Sequence, residues 1–582
     1  MKCSVATLAI SAILSISQAA AVTFNVIAPG AQDVQVIVNN GSPVTLTAKD
    51  PSVPVFTGQA DAAGKATYKY VVGGTAEGFE RTLESGRTAT RNDFFDRPIT
   101  YANLPELPWP IPNRWARGGP ETALFDSNYI PSIFVTGDPK QLDHIIKTVP
   151  CDLANVKLSF VDAEGVHTFD NVAFGIHGCG KKKNNAKQTW RWMMPNNQTV
   201  YNRSYFKIRH MEEDPTQLRE KVYSDMLQAM GSYGNEANIV RLFINGQGFG
   251  TFNLLDDVIQ YSYIQARFFA GAPQTTLGPL YDGGTGASFA YSPTGEYYSF
   301  VPNAVSPAGV AALDPICKEI ANTNYKDDKA VAALAKNFDL DQFMRFMVVE
   351  YLTADWDGYW QLQSNDGAYQ DPNDKKWYYL GQDFDATFGV NLAEPRDFVG
   401  ASYKTFPAKF PHAVLINNLL QNPKMAATFE TYLKDTVVQL FNNVTLTNRI
   451  LQYHNFILPD LQWDRSIVQQ SPGINFGWTF EQATQNLWQP VVAPNKNGGG
   501  ANWGLIEWIV AKSDAVAKEF NLKITDHPLG PPNGNNGSSV SASGAGSGST
   551  SANSSKHTSQ ASTLSASVLV LATLALSLAI VH

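Results

Sequence analysis

Asp355-Trp-Asp357-Gly358, then Ser364-Asn365-Asp366, then Trp377-Tyr-Tyr-Leu-Gly-Gln-Asp383-Phe-Asp385-Ala-Thr-Phe-Gly389 is the stretch on which the reading of this chain turns. It follows an apolar run whose spacing predicts a helix from about Leu340 to Thr353, with Phe343, Phe346, Met347 and Glu350-Tyr351-Leu352. A carboxylate soon after a helix, an Asn several residues on and a second carboxylate at the end of an aromatic strand can converge on a divalent cation and phosphate. Phosphoryl transfer needs such parts: oxygen ligands for the cation and a carboxylate that receives the hydroxyl proton. Any one of these acids alone reads more simply as a loop cap. Six acidic or amide side chains in one stretch bounded by aromatic strands make it a candidate site.

Upstream, Asp214-Pro215-Thr-Gln217 reads as the opening of a helix: an N-cap, a Pro at the first helical position and a Gln able to complete a capping box. Leu218, Val222 and Met226 recur on one face and Gly231 closes it. Ile239 to Ile244, the turn at Asn245-Gly246 and Phe249 to Leu255 then predict a hairpin. The pattern from about 120 to 525 thus mixes helices and strands. Residues 22 to 105 differ: Val22 to Ile27, Val34 to Val38 and Thr67 to Val72 alternate and end in Gly or Asn turns, which predicts a small β-sandwich. Pro105 to Pro112 reads as an extended linker. The fold class expected is α+β, with no convincing internal repeat.

The ends speak to location. Lys2, an apolar stretch from Val5 to Ile16 and the small residues Ala19 to Ala21 read as a secretory signal over residues 1–21. Residues 526–563 pass into a Gly/Ser/Asn-rich stalk too poor in apolar side chains to fold. Residues 564–582 form an apolar tail with no Lys or Arg after it. Small residues from Asn553, a polar spacer and that tail match a glycosylphosphatidylinositol (GPI) anchor signal with attachment at Asn553, so membrane association is expected through the anchor. Sequons at Asn40, Asn197, Asn202, Asn443 and Asn536 suit glycosylation on the secretory route. Cys151, Cys179 and Cys317 permit one disulfide without choosing the pair, and no CxxC spacing suggests zinc. A formal charge of -8 argues against a nucleic-acid binder.

The run from Asp357 through Asn365 and Tyr369-Gln-Asp-Pro372 to Asp383-Phe-Asp385 resembles the CotH family, atypical kinases related to spore-coat proteins, and within it the surface proteins of Mucorales fungi. Supporting matches occur in family order: Phe174-Gly-Ile-His-Gly-Cys-Gly to Lys187, Arg209 to Asp214-Pro215 with Arg219, and Asn245 to Asp256. The resemblance implies a two-lobed kinase-like domain using ATP with Mg²⁺ or Mn²⁺. It implies Asp357 as the acidic residue required for transfer, Asn365, Asp383 and Asp385 as metal-binding residues, and Lys187, Arg209 and Asp256 as nucleotide-binding residues. This chain departs from the family pattern at His177-Gly178, where Arg-Gly is usual, at Cys179, where Ser is common, and at Asp256, one methylene shorter than the usual Glu.

Lys181, Lys182 and Lys183 open a basic run that continues to Lys187 and Arg191, with Trp190 and Trp192 alternating. Such a run in an acidic protein usually forms a solvated face. In the fungal branch the resemblance implies that this region attaches to host cell-surface proteins, so the three lysines are candidate partner-binding residues. Two functions follow as expectations: an anchored surface kinase acting on a protein substrate, or an adhesin or invasin that binds a host cell-surface receptor on a kinase-like scaffold.

Overall fold

A computed structural model of the chain describes residues 20–62, 65–115, 122–178, 185–392, 398–495 and 500–524. The stalk, the tail, Asn536, Asn553 and Lys181 to Lys183 lie outside the described residues, as do Cys179 and all but the last two residues of the expected signal. Among the described residues no helix is long and apolar enough to cross a membrane.

The first strands follow the alternation of the sequence: β1 (Ala20–Ile27), β2 (Val34–Val38), β3 (Val44–Asp50), β4 (Val53–Ala62), β5 (Thr67–Val72), β6 (Thr75–Ala76), β7 (Arg81–Thr82) and β8 (Ala89–Phe94). Their inward residues, among them Phe24, Val26, Val34, Val36, Tyr68 and Tyr70, make one core. The sandwich expectation needs refinement, because hydrogen bonding runs unbroken in the order β6-β5-β2-β3-β4-β1-β8, with β7 against β5. The strand β3 turns the corner. Its first half pairs with β2, as in Leu46 opposite Val34, and its second half with β4, as in Thr47 opposite Thr57, with a register shift before Asp50. A bulged strand bends and twists, so one sheet curls round its own core.

Seven strands then close a barrel: β9 (Ser132–Thr136), β10 (Leu153–Val161), β11 (Val166–Ile176), β12 (Trp190–Met193), β13 (Tyr205–Arg209), β14 (Ala237–Ile244) and β15 (Gln247–Leu255), in the order β10-β11-β12-β13-β15-β14-β9. Phe174 stacks on Trp190 and Trp192 on Phe206 in its interior. The predicted hairpin is β14–β15, turning through Asn245 and Gly246, both with positive φ. Such a turn matches the twist of the strands it joins.

The helix read from Asp214 starts later, at Arg219, and runs to Ala229. Gln217 has φ 59°, which interrupts helical geometry, and its side chain bonds Asp464 and Thr251 instead of completing a capping box. Asp214 still serves the helix start, since its carboxylate accepts the backbone N–H groups of Thr216, Leu218 and Arg219 at 2.9, 2.8 and 2.7 Å. The helix Leu340–Thr353 appears where the apolar spacing placed it. Nearly every residue of it is buried, and it packs against Arg219–Ala229, Pro423–Gln439 and Leu505–Phe520. The extended segment after Leu104 is bound down: Leu104 and Ile111 enter this core, and Arg345 donates to the carbonyls of Pro112 and Asn113. A small sheet lies against the helices, β16 (Leu280–Gly283), β17 (Phe300–Pro302), β18 (Asp366–Gln370) and β19 (Trp377–Gly381), in the order β17-β16-β18-β19. Cys151 is disulfide-bonded and Cys317 is a free, buried thiol.

Candidate functional site

Strand pairing brings the separated acids of the deciding stretch together. In the β18–β19 ladder Asp366 lies opposite Gly381. Asn365 therefore falls opposite Gln382, whose backbone N–H donates to the Asn365 carbonyl over 3.0 Å, and Asp383 follows at once. Asn365 and Asp383 both take positive φ, 56° and 65°. A non-glycine residue there is uncommon, and two side by side mark a site over-determined by its surroundings. Gly381 supplies the close approach: a Cβ would lie 2.1 Å from the Phe346 ring of the long helix.

The loop after that helix is set by buried carboxyls. Glu350 accepts the backbone N–H groups of Trp360 (2.5 Å) and Tyr359 (3.1 Å). Asp355 sits beside it under Gly358, where a Cβ would come within 2.9 Å of the Asp355 carboxyl carbon and 3.0 Å of that of Glu350. Burial drives both carboxyls upward, Glu350 to about 8. The loop so held delivers Asp357 to Asn365, whose Nδ2 donates to Asp357 Oδ2 over 2.8 Å and to the Asp357 carbonyl over 3.3 Å.

The barrel contributes the opposing charge. Along β13, Phe206 and Ile208 point into the barrel core, so Lys207 and Arg209 share the other face. Arg209 pairs with Asp383 and, over 2.7 Å, with Asp385. Burial pulls against its charge, yet Asp385, Glu220, Glu213 and Asp357 together hold it above its usual value. Burial raises the Asp357 carboxyl, with the Asn365 amide and Arg209 opposing. Lys207 is lowered by burial and by Arg209, and Asp257 is raised by burial to about 6 against the pull of Lys207. Gln382 Nε2 donates to Asp282 over 2.9 Å and ties β16 to the same edge.

Of the residues singled out from sequence, Asp357, Asn365, Asp383, Asp385 and Arg209 thus meet in one constellation. Lys187 makes its contacts elsewhere: its buried ammonium pairs with Asp464 at 2.5 Å and donates to the Thr251 carbonyl at 2.7 Å. Gly250 makes room for that pair, since a Cβ there would overlap Asp464. Asp256 binds Arg203 through both carboxylate oxygens, and its neighbour Asp257 lies in the field of Lys207 instead. The sequons at Asn40, Asn197, Asn202 and Asn443 are all exposed. Lys207 and Asp257 were missed by sequence reading, which counted Asp355 among the acids of the site but not its pairing with Glu350. A signal for Lys207 existed in Tyr205-Phe-Lys207-Ile-Arg209, where two cations alternate with two apolar residues on a strand.

The donor chemistry fits Mg²⁺ or Mn²⁺. Both Asn365 amide hydrogen directions go to Asp357, leaving its Oδ1 as an acceptor, while the carboxylates of Asp383 and Asp385 are paired with Arg209. Among the described residues no group of three or more His, Cys, Asp or Glu side chains is placed so that it could hold a metal ion by itself. Mg²⁺ is ordinarily held by one or two carboxylates together with phosphate oxygens, for which such a cage is unnecessary.

Comparison with known proteins finds a matching family and several similar fungal proteins. The family described as CotH kinase protein matches residues 174–488, a span that includes β13, the long helix and the whole acidic stretch. The chain is similar to invasin CotH3 of Rhizopus delemar, 60% identical over 532 residues that cover 90% of this chain and 88% of that protein. It is also similar to invasin CotH2 of the same fungus, 57% identical over 544 residues covering 92% and 90%, and to its spore coat protein homolog 1, 53% identical over 506 residues covering 86% and 82%.

Proposed function

The chain belongs to the CotH kinase family, and from that premise we propose that it is a cell-surface phosphotransferase moving phosphate from ATP to protein hydroxyls. The observation that carries this reading is the meeting of Asp357, Asn365, Asp383 and Asp385 at the end of the β18–β19 pair, opposite Arg209 and Lys207 of β13. Barrel and helical region act as the two lobes. Bound Mg²⁺ or Mn²⁺ supplies charge neutralisation on the phosphates, and Asn365, Asp383 and Asp385 are the side chains that would hold it.

Asp357 is the acceptor of the substrate hydroxyl proton, aimed by Asn365. Arg209 keeps the Asp383–Asp385 loop in place until nucleotide arrives and then shares its charge with the phosphates. Lys207, buried beside Asp257 on the same strand face, is the second phosphate-facing cation. Lys187 is engaged by Asp464 and braces the β14–β15 hairpin through Thr251, so it takes the phosphate role only if that pair opens. Asp256 holds Arg203 and acts on the site through its neighbour.

Display at the surface rests on the leader, the exposed sequons and the anchor signal with Asn553. A second reading is favoured by the names of the relatives, two of which are called invasins: the same chain attaches to a host cell-surface receptor, with Lys181, Lys182 and Lys183 as the partner-binding residues. The test is incubation of purified ectodomain with labelled ATP, Mg²⁺ or Mn²⁺ and an acceptor protein, beside an Asp383→Ala control. Metal-dependent incorporation lost in the control supports the kinase. Equal incorporation in both rejects this site.

A further inference from the structure

Trp356 stands between Asp355 and the proposed proton acceptor Asp357. Its ring is half-buried against the helical core, and its indole Nε1–H donates to the Val390 carbonyl over 2.9 Å. Val390 lies five residues beyond Asp385, on the segment that follows the acids proposed to hold the cation. One bond thus runs from the loop of the proton acceptor to that segment. It is separate from the bonds of Asn365, which reach Asp357 from the start of β18.

The far end of this bond is fixed. Val390 is wholly buried in a small apolar cluster with Phe476, Trp478, Val491 and Ala501. Asn391 donates its backbone N–H to the Gly500 carbonyl over 3.0 Å, and Asn502 donates its own to the Gly389 carbonyl over 3.1 Å. Trp478 Nε1 donates over 2.8 Å to the carbonyl of Glu212, three residues after Arg209. The cluster therefore joins the segment after the acids to the end of the barrel strand that opposes them.

The near end has little freedom either. Turning the Trp356 side chain would break its bond to Val390. On the other side of Asp357, Gly358 occupies a space where a Cβ would lie 2.9 Å from the Asp355 carboxyl carbon and 3.0 Å from that of Glu350. Asp357 is held between two fixed neighbours, and the direction of its carboxylate follows from theirs. A proton acceptor must come within about 2.6–3.2 Å of the hydroxyl, and a shift of about 1 Å is enough to lose much of the rate. We propose that Trp356 is a positioning residue for phosphate transfer: its indole N–H ties the Asp357 loop to the Val390 segment and so aligns the proton acceptor with Asp383 and Asp385. This rests on the reading of Asp357 as that acceptor.

The test is Trp356→Phe, which keeps an aromatic ring and loses Nε1–H, in purified ectodomain with labelled ATP, Mg²⁺ and casein as acceptor. The kcat should fall at least about tenfold, while the KM for casein and the calorimetric Kd for ATP with Mg²⁺ stay within about twofold. The rise of rate with pH that Asp357 imposes should flatten. Trp508→Phe removes a comparable bond, 3.0 Å from its Nε1 to the Leu352 carbonyl near the end of the long helix, and should lower Tm without changing kcat. If Trp356→Phe does not fold, Trp356→Tyr lacks the same N–H and should show the same loss. A parent protein that transfers phosphate and a Trp356→Phe variant that matches its kcat overturn the positioning role alone, as do equal kcat losses in the Trp356 and Trp508 variants. A parent protein that labels neither casein nor itself rejects the kinase reading, and the positioning role falls with it.

Discussion

Asn365 holds Asp357 with both hydrogens of its side-chain amide, at 2.8 Å to the carboxylate and 3.3 Å to the carbonyl. Its own backbone carbonyl meanwhile accepts the N–H of Gln382, one residue before Asp383. One residue, through its side chain and its backbone carbonyl, therefore sets the spacing between the proposed proton acceptor and the proposed metal ligands.

The first prediction follows from that bond. Burial raises the Asp357 carboxyl, and the Asn365 amide opposes the rise. A proton acceptor must be ionised, so transfer should increase with pH through the raised Asp357 value. Asn365→Ala removes a stabiliser of the ionised form and should move this limb to higher pH, besides lowering the maximal rate by about 10²–10⁴. A pH–rate profile of the variant that coincides with the parent would separate Asn365 from Asp357.

The second distinguishes two lysines. Lys187→Met leaves Asp464 buried beside an apolar chain and should lower stability by about 3 kcal/mol, read by denaturant unfolding. Lys207→Met removes a cation that burial already disfavours, so stability should hold or rise while nucleotide affinity falls at least about tenfold. Loss of nucleotide binding in a stable Lys187 variant would return the phosphate role to Lys187.

The third concerns stability against pH. Glu350 is raised by burial to about 8 in the fold, far above its ordinary value of 4.5. The folded state thus binds a proton the unfolded chain has released, and this stabilisation is complete below about pH 4.5 and lost as pH rises through about 8. His454 acts on the other side: burial lowers it to about 4, so its contribution is lost as pH falls from its ordinary 6.5 through about 4. Thermal melting should peak in mildly acidic buffer. Glu350→Gln should flatten the alkaline decline alone, and an unchanged decline would place its origin elsewhere.

Much of this was legible in the chain because it depends on local pattern. The period of Leu340 to Thr353 gave the helix, and Asn245-Gly246 gave the hairpin turn. The acids of 355–385 meet because β18 and β19 pair, whereas the aromatic run Trp377-Tyr-Tyr marks only that a strand precedes Asp383. The pairing of Lys187 was hidden for a physical reason: its partner Asp464 lies 277 residues away, and no local pattern announces a contact of that range. Gln217 deceived similarly, since a capping box and a tertiary bond to Asp464 compete for one amide and the tertiary bond won. The curled first sheet was hidden because β3 divides its hydrogen bonds between two partners, while sequence alternation reports only which face is buried.

The fourth prediction uses the cysteines. Cys317 is buried, and burial pushes its thiol up to about 12, so almost no thiolate forms near neutral pH. Alkylation of the native protein should leave the Cys317 peptide unmodified, and denaturation without reductant should label it. The Cys151 peptide should need reductant as well. Mass spectrometry finding Cys317 labelled in the native state would contradict its placement in the core.

The last prediction separates enzyme from binding protein by what each group can contribute. Asp383 neutralises phosphate charge only when ionised and aimed, so Asp383→Asn should weaken metal-dependent nucleotide binding, read by calorimetry with and without Mg²⁺. Asp357 meets the acceptor hydroxyl, so Asp357→Ala should abolish transfer while leaving nucleotide binding largely intact. Neither residue belongs to the basic run, and cell attachment should survive both changes. Replacing Lys181, Lys182 and Lys183 by neutral residues should do the reverse, because long-range attraction to an acidic partner depends on them and transfer does not. Attachment by the parent protein should accordingly weaken as salt rises past roughly 0.15 M, where the screening length is about 8 Å. If Asp357→Ala and Asp383→Asn leave both nucleotide binding and transfer untouched in a folded ectodomain, the acidic constellation is a relic. The chain then acts through its surface alone.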